Sequence, residues 1–126
     1  MIRIKDDCIE LSLGGRVATL ASGGTPSERL VEAKAQLQNV LAAAEELAGE
    51  ARNGDMSDGT ASPLRIVRKD GRGSVSRGQV SVTVTYRGLM LGRAMGDRVG
   101  VRSVMVRALE QTGEKAAELL EELNRE

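Results

Sequence analysis

The sequence predicts an α+β fold: an antiparallel sheet of about five or six short strands, with two helices at about 26–52 and 103–124 packed on one face. Three observations carry this expectation. Apolar and polar residues alternate near the N-terminus and again between 64 and 91. A capping signature opens a long run of apolar residues spaced three and four apart. A second run of the same spacing closes the chain. The 126 residues are read as one domain, 1–126, interrupted by a mobile loop at about 53–63.

The first β section begins with Ile2 and Ile4 alternating with Arg3 and Lys5, and Asp6-Asp7 reads as a turn. Ile9, Leu11 and Leu13 then alternate with Cys8, Glu10 and Ser12. Gly14-Gly15 is a strong two-residue hairpin signal, after which 16–21 return as a third strand. Alternation of this kind belongs to a sheet with one face buried and one wet.

Thr25-Pro26-Ser27-Glu28 is a capping box with Pro at the first helical position. From there Leu30, Ala33, Leu37, Val40 or Leu41, Ala44, Leu47 or Ala48 and Ala51 recur at spacings of three and four, marking one face of a helix of about 25 residues, roughly 38 Å long. That is longer than a small sheet can cover, so the helix either overhangs or meets a second subunit. Residues 53–63 are turn-formers with almost no apolar content.

The second β section starts at 64–69, passes a turn at Asp70-Gly71-Arg72-Gly73, and reaches its best strand at 79–86. There Val80, Val82, Val84 and Tyr86 share one face, and Gln79, Ser81, Thr83 and Thr85 the other. Leu89-Met90-Leu91 continues or pairs with it, and Gly92, Gly96 and Gly100 then read as punctuation of a loop. In the closing helix Val101, Val104, Met105, Ala108, Leu109, Thr112, Ala116, Leu119, Leu120 and Leu123 fall on one stripe. Ser103 is a candidate N-cap, and Gly113 predicts a kink or a break. The pattern does not fix whether the two β sections share one sheet. Strands followed by a helix occur twice, but the residues of the two stretches do not match.

Composition removes whole classes of chemistry. With no His, imidazole acid–base catalysis, Ser–His and Cys–His pairs and His metal sites are excluded within the chain. The single Cys8 makes no internal disulfide and no cysteine cluster, and it reads as a structural residue in a reducing compartment. Asp6-Asp7 and Asp55/Asp58 lack a full calcium-loop pattern. No catalytic residue, metal or cofactor is therefore expected, and the chain is read as non-enzymatic. No apolar run is long enough for a bilayer, and no apolar signal region follows Met1, so the expected location is the cytoplasm, away from membranes.

Charge carries the functional signal. Lys plus Arg and Asp plus Glu both number 18, yet they are segregated. Residues 1–63 hold 6 basic and 10 acidic groups, 64–107 hold 10 and 2, and 108–126 hold 2 and 6. Nine of the ten central cations are Arg, whose planar fork matches phosphate or carboxylate in pairs of hydrogen bonds. The stretch from Gly92 to Ser103 reads as a Gly-punctuated entry to a helix N-terminus, where unpaired amides favour an anion. It is neither a Walker loop nor a dinucleotide fingerprint. The expected ligand-binding set is Arg87, Arg93, Arg98, Arg102, Gly96, Gly100, Ser103 and Tyr86, holding a nucleotide-like or phosphate-bearing ligand in a homo-oligomer. The simpler reading leaves those arginines in an ordinary loop, paired with carboxylates of this chain or a neighbour.

Two other functions compete. In one, the chain is a protein–protein interaction module: an inhibitor, adaptor or structural subunit of a mobile element or virus. In the other, the basic stretch from Arg68 to Arg77 enters a nucleic-acid groove as a hairpin tip. Acidic helices, zero net charge and a single aromatic argue against nucleic acid.

Overall fold

Two tight hairpins set the architecture. In the computed structural model, which describes residues 1–54, 59–61, 63–71 and 77–125 (for 59–61 the backbone alone), β2 (Cys8–Leu13) turns into β3 (Arg16–Ser22) through Gly14-Gly15 at φ 57° and 78°. Likewise β6 (Gln79–Tyr86) turns into β7 (Leu89–Asp97) through Arg87-Gly88 at φ 49° and 80°. Two consecutive left-handed residues make a type I′ turn, whose twist matches that of the strands it joins. Glycine adopts this conformation at no cost, whereas Arg87 does so against its own Cβ.

Each hairpin gains a further antiparallel strand. β1 (Ile2–Ile4) pairs with β2, Ile2 lying opposite Leu11, and β5 (Leu64–Asp70) pairs with β6, Ile66 lying opposite Val84. The short β4 (Gly59–Ala61) extends the second sheet along the free edge of β5. The strands thus form two separate antiparallel sheets, ordered β1-β2-β3 and β4-β5-β6-β7. The expected α+β class, antiparallel pairing and two packed helices are all present. The question of one sheet or two is answered as two.

A long helix follows each meander. α1 (Pro26–Arg52) opens with the capping box read from the sequence: the amide of Glu28 donates to Thr25 Oγ1 at 3.2 Å, and the amide of Thr25 donates to Glu28 Oε1 at 3.4 Å. α2 (Val101–Asn124) follows a single 3-10 turn at Arg98–Gly100. The order β-β-β-α therefore occurs twice, although no residue repeat marks it. The helices run antiparallel. Arg52, at the end of α1, meets Glu110 at 3.5 Å, while Leu41 and Ala44 lie against Gly113.

Burial explains why α1 is so long. Ala33, Leu37, Val40, Ala44, Ala48 and Ala51 are buried along its length. α1 packs chiefly against α2 and secondarily against β2 and β3, while α2 covers β6 and β7. The overhang that suggested a second subunit is filled from within the chain. Both sheets and both helices feed one contiguous core, in which Leu11, Leu37, Tyr86, Leu109, Leu119 and Leu123 are each at most 2% exposed.

Four local expectations are corrected. The glycine-punctuated loop at 92–100 is strand as far as Asp97. Gly92 and Gly96 are there because α2 crosses the strand closely: a Cβ on Gly92 would collide with the carbonyl oxygen of Ala108, and one on Gly96 would lie 2.7 Å from Val104 Cγ2. The N-cap of α2 is Gly100 with no side-chain hydrogen bond, and Ser103 lies exposed within the first turn. α2 continues unbroken through Gly113, held by packing against α1. Of the loop expected at 53–63, residues 59–61 form β4, whereas 55–58 and 62 lie outside the described residues. Residues 72–76 of the expected basic hairpin tip also lie outside them.

Candidate functional site

The geometry of β7 decides where the central cations go. Its residues alternate between a face under α2 and an outer face, so Gly92, Ala94 and Gly96 point inward while Arg93, Met95 and Asp97 point out. A register shift opposite Val84/Thr85 brings Met90 to the outer face as well. Cross-strand pairing then builds three rows on that face. Met90 lies beside Thr85 and Arg65, Arg93 beside Thr83 and Val67, and Met95 beside Ser81 and Lys69. α2 covers β6 and β7 from the inner side, where Val82, Val84 and Ala94 are buried, while in the outer rows Thr83 and Thr85 are half-buried and Ser81 is buried between its longer neighbours. Arg65, Lys69 and Arg93 are exposed, and no carboxylate of the described residues lies within ion-pair distance of them. Met90 and Met95 are 54% and 39% exposed between them. The result is an open, cationic sheet face studded with two flexible apolar side chains.

The eight residues expected to converge on a ligand do not form one constellation. Tyr86 and Arg87 sit at one end of β7, and Arg98, Gly100, Arg102 and Ser103 at the other, separated by nine strand residues or roughly 30 Å. Arg93 lies on the outer sheet face between them, and Gly96 is covered by α2. Arg98, Arg102 and Ser103 are exposed, and the Arg102 guanidinium lies alongside Gly54 just past the C-terminal end of α1. The physical reason is the strand itself. A loop could have folded back to gather its arginines, but an extended strand spaces them out.

Tyr86 and Arg87 build a second, smaller site. The Tyr86 ring is 1% exposed, and its hydroxyl donates to Gln36 Oε1 at 3.1 Å. Burial pushes its pKa above the usual phenol value, partly opposed by the neighbouring Arg87. The Arg87 guanidinium carbon stands 5.3 Å from the ring centroid, and Nη1 donates to the carbonyl of Thr19, joining the second hairpin to the first sheet. Both residues line an open cleft of about 670 Å³ shared with Gln36, Asn39, Glu46 and Pro63. Here two residues of the expected set meet at a concavity.

Between the helices, on the side away from the sheets, runs a groove of about 380 Å³. Ala44, Ala48 and Gly113 contribute its small residues, Leu41 and Leu109 its larger apolar ones, and Glu45, Glu110 and Glu114 its acidic ones. Glu110 is met by Arg52, whereas Glu45 and Glu114 have no cation within ion-pair distance among the described residues. The rest of the helical surface is acidic on balance, with Glu32, Glu46 and Glu50 exposed, while Glu118 and Glu121 are met by Lys115 and Arg125 and the exposed Arg52, Arg102 and Arg107 gather toward the start of α2 and the end of α1. The charge segregation along the sequence is thus only partly a segregation in space, between a basic sheet face and a helix layer with an acidic excess.

Arg29 was not among the expected functional residues. It is 7% exposed and donates to three carbonyls: Gly24 at 2.8 Å, Asp6 at 2.9 Å and Gly23 at 3.3 Å. Its position was legible, since 29, 33 and 37 fall on the buried stripe of α1. Cys8 is half-buried, and its thiol is pushed up by burial and by the carboxylates of Asp7 and Glu10, which disfavours the nucleophilic thiolate. No group of three His, Cys, Asp or Glu side chains suited to a metal ion occurs among the described residues, and no helix among them is long and apolar enough to cross a membrane. No protein-family model matches the chain, and neither a curated protein nor a solved structure matches it.

Proposed function

We propose that the protein is a non-enzymatic protein–protein interaction module that engages an acidic protein surface through the outer face of β5, β6 and β7. The observation that carries this reading is the spacing of Arg65, Lys69 and Arg93 across an uncovered sheet, with Met90 and Met95 among them. Cations on β5 and β7, with β6 between them, suit an extended surface better than a single phosphate. Arginine and methionine are also the side chains enriched where proteins meet, whereas a single-stranded nucleic acid would call for aromatic rings to stack on its bases. The acidic helix layer behind the sheet disfavours a polyanion that wraps the molecule.

The test compares the wild-type chain with Arg65→Glu/Arg93→Glu as bait in cell extract. A stoichiometric protein retained by the wild type and lost from the double variant supports the reading. Retention of nucleic acid with a steep salt dependence, or equal protein capture by both baits, overturns it.

The Tyr86–Arg87 cleft favours a second reading, in which a small phosphate-bearing ligand docks against Arg87. An arginine kept at a left-handed turn position and laid over a buried tyrosine supports it. A thermal-shift series with inorganic phosphate and mononucleotides, on wild type and Arg87→Ala, tests it. Stabilisation that disappears in the variant is the expected result, and no shift in the wild type rejects it.

A further inference from the structure

Building on the interaction-module reading, we infer that the acidic surface engaged by the sheet face is the α1–α2 groove of a second copy of the same chain, so that copies associate head to tail. The two surfaces complement each other in charge and in shape. On the sheet, Met95 projects from β7 with Arg93 two residues before it on the same outer face and Lys69 two strands across in its own row. On the helix pair, the groove has buried Ala44 and Ala48 and half-buried Gly113 along its floor, with Glu45 and Glu114 among its acidic residues and one cation, Arg52, already met by Glu110. An unbranched thioether fits a channel of alanine and glycine without demanding a shaped pocket. Seated there, Met95 brings Arg93 and Lys69 toward carboxylates that have no cation of their own among the described residues.

The topology places donor and acceptor on opposite sides of the protein. α2 covers the inner face of β6 and β7, so the outer sheet face and the outer helix face look away from each other. Each copy can therefore offer one surface forward and the other backward. Such an interface is heterologous, and it builds chains or rings instead of stopping at a symmetric pair. The contacts are exposed ion pairs around one apolar knob, so association is weak and falls steeply with salt. Self-association was expected from the sequence, partly on the length of α1; its basis here is instead the facing charge of sheet and helices.

Sedimentation of the full chain, across concentration and at low and high salt, tests the inference. The wild type should exceed its 13.4 kDa monomer mass as concentration rises, and should return toward it in high salt. Lys69→Glu/Arg93→Glu disables the sheet face, and Glu45→Lys/Glu114→Lys disables the groove, so each variant alone should remain monomeric. All four positions are exposed or at a groove rim, and circular dichroism confirms that the folds persist. The decisive measurement is the equimolar mixture of the two variants. The intact sheet face of one then meets the intact groove of the other, giving a capped one-to-one dimer and nothing larger. A wild type that is monomeric at every concentration overturns the inference, as does a dimer that both variants still form. Neither result bears on capture of a foreign acidic protein, which the extract experiment judges separately.

Discussion

Arg29 shows how much of this fold hangs on single side chains. It is buried at the start of α1, and its planar fork reaches carbonyls from the β1–β2 turn and from the segment joining β3 to α1. Among the described residues no carboxylate lies within ion-pair distance of it, so three main-chain dipoles and the geometry of its donors hold the charge. Replacing it removes the donors and leaves those carbonyls in a protein environment without partners. Arg29→Met, which keeps the apolar stem, is expected to lower unfolding free energy by about 2–4 kcal/mol in urea titrations. Arg29→Lys should recover only part of the loss, because an ammonium presents a point charge where the guanidinium presents a fork. Full recovery by Lys would mean that charge, and not the fork, is what the site needs. Arg87 stands in contrast: it gives up backbone comfort at its turn for a tyrosine face and one carbonyl, and its remaining donors are the ones a ligand could use.

At the scale of elements, the glycines separate two physical roles that look alike in a sequence. Gly92 lies where α2 presses its Ala108 carbonyl onto β7, so there is no volume for a methyl group. Gly113 lies on α2 facing α1, where a Cβ would meet Leu41 at 3.7 Å and Ala44 at 3.9 Å, which is ordinary contact. Gly92→Ala should therefore destabilise by about 1–3 kcal/mol through overpacking against backbone. Gly113→Ala should stabilise by up to about 1 kcal/mol, the helix-propensity difference, with the groove slightly better filled. Paired thermal melts of the two variants check this, and Gly113→Ala melting below the wild type would show a requirement for the bare backbone. The same pair marks the boundary of what local pattern can reveal. The capping box at Thr25–Glu28, the stripe of α1, the Gly14-Gly15 hairpin and the strand at 79–86 are written in nearest neighbours, and all are present. The extension of β7 through Gly92 and Gly96 is not, because these glycines answer to a helix that returns over the strand eight to twenty residues later. Every cation of the expected site was likewise visible in the sequence. Their dispersal was not, since it depends on whether 92–97 is loop or strand.

At the scale of the whole molecule, two sheets each followed by a long helix could in principle be two units that unfold in turn. The core argues otherwise. The alanine-rich stripe of α1 is buried mainly by α2, so the first sheet's helix has no stable covering without the second sheet's helix. Arg87 bonds to Thr19 from one hairpin to the other, and the amide of Ile2 donates to Glu122 near the end of α2 at 3.0 Å. Loss of either half leaves an apolar helix face exposed to water, and the apolar area is too large for the remaining half to tolerate. The chain supplies its own reporters for this. Tyr86, the only aromatic, sits in the second sheet, and Cys8, the only thiol, in the first. Tyrosine fluorescence and the rate of thiol alkylation, followed through one urea titration, are expected to give coincident midpoints and a single transition. Native Cys8 should alkylate slowly, because burial and the neighbouring Asp7 and Glu10 carboxylates hold its thiol protonated, so the onset of rapid labelling reports opening of the first sheet. Labelling that is complete while Tyr86 fluorescence is still native would show the first sheet opening alone, and the helix pair would then not be the joint that makes the two halves one domain.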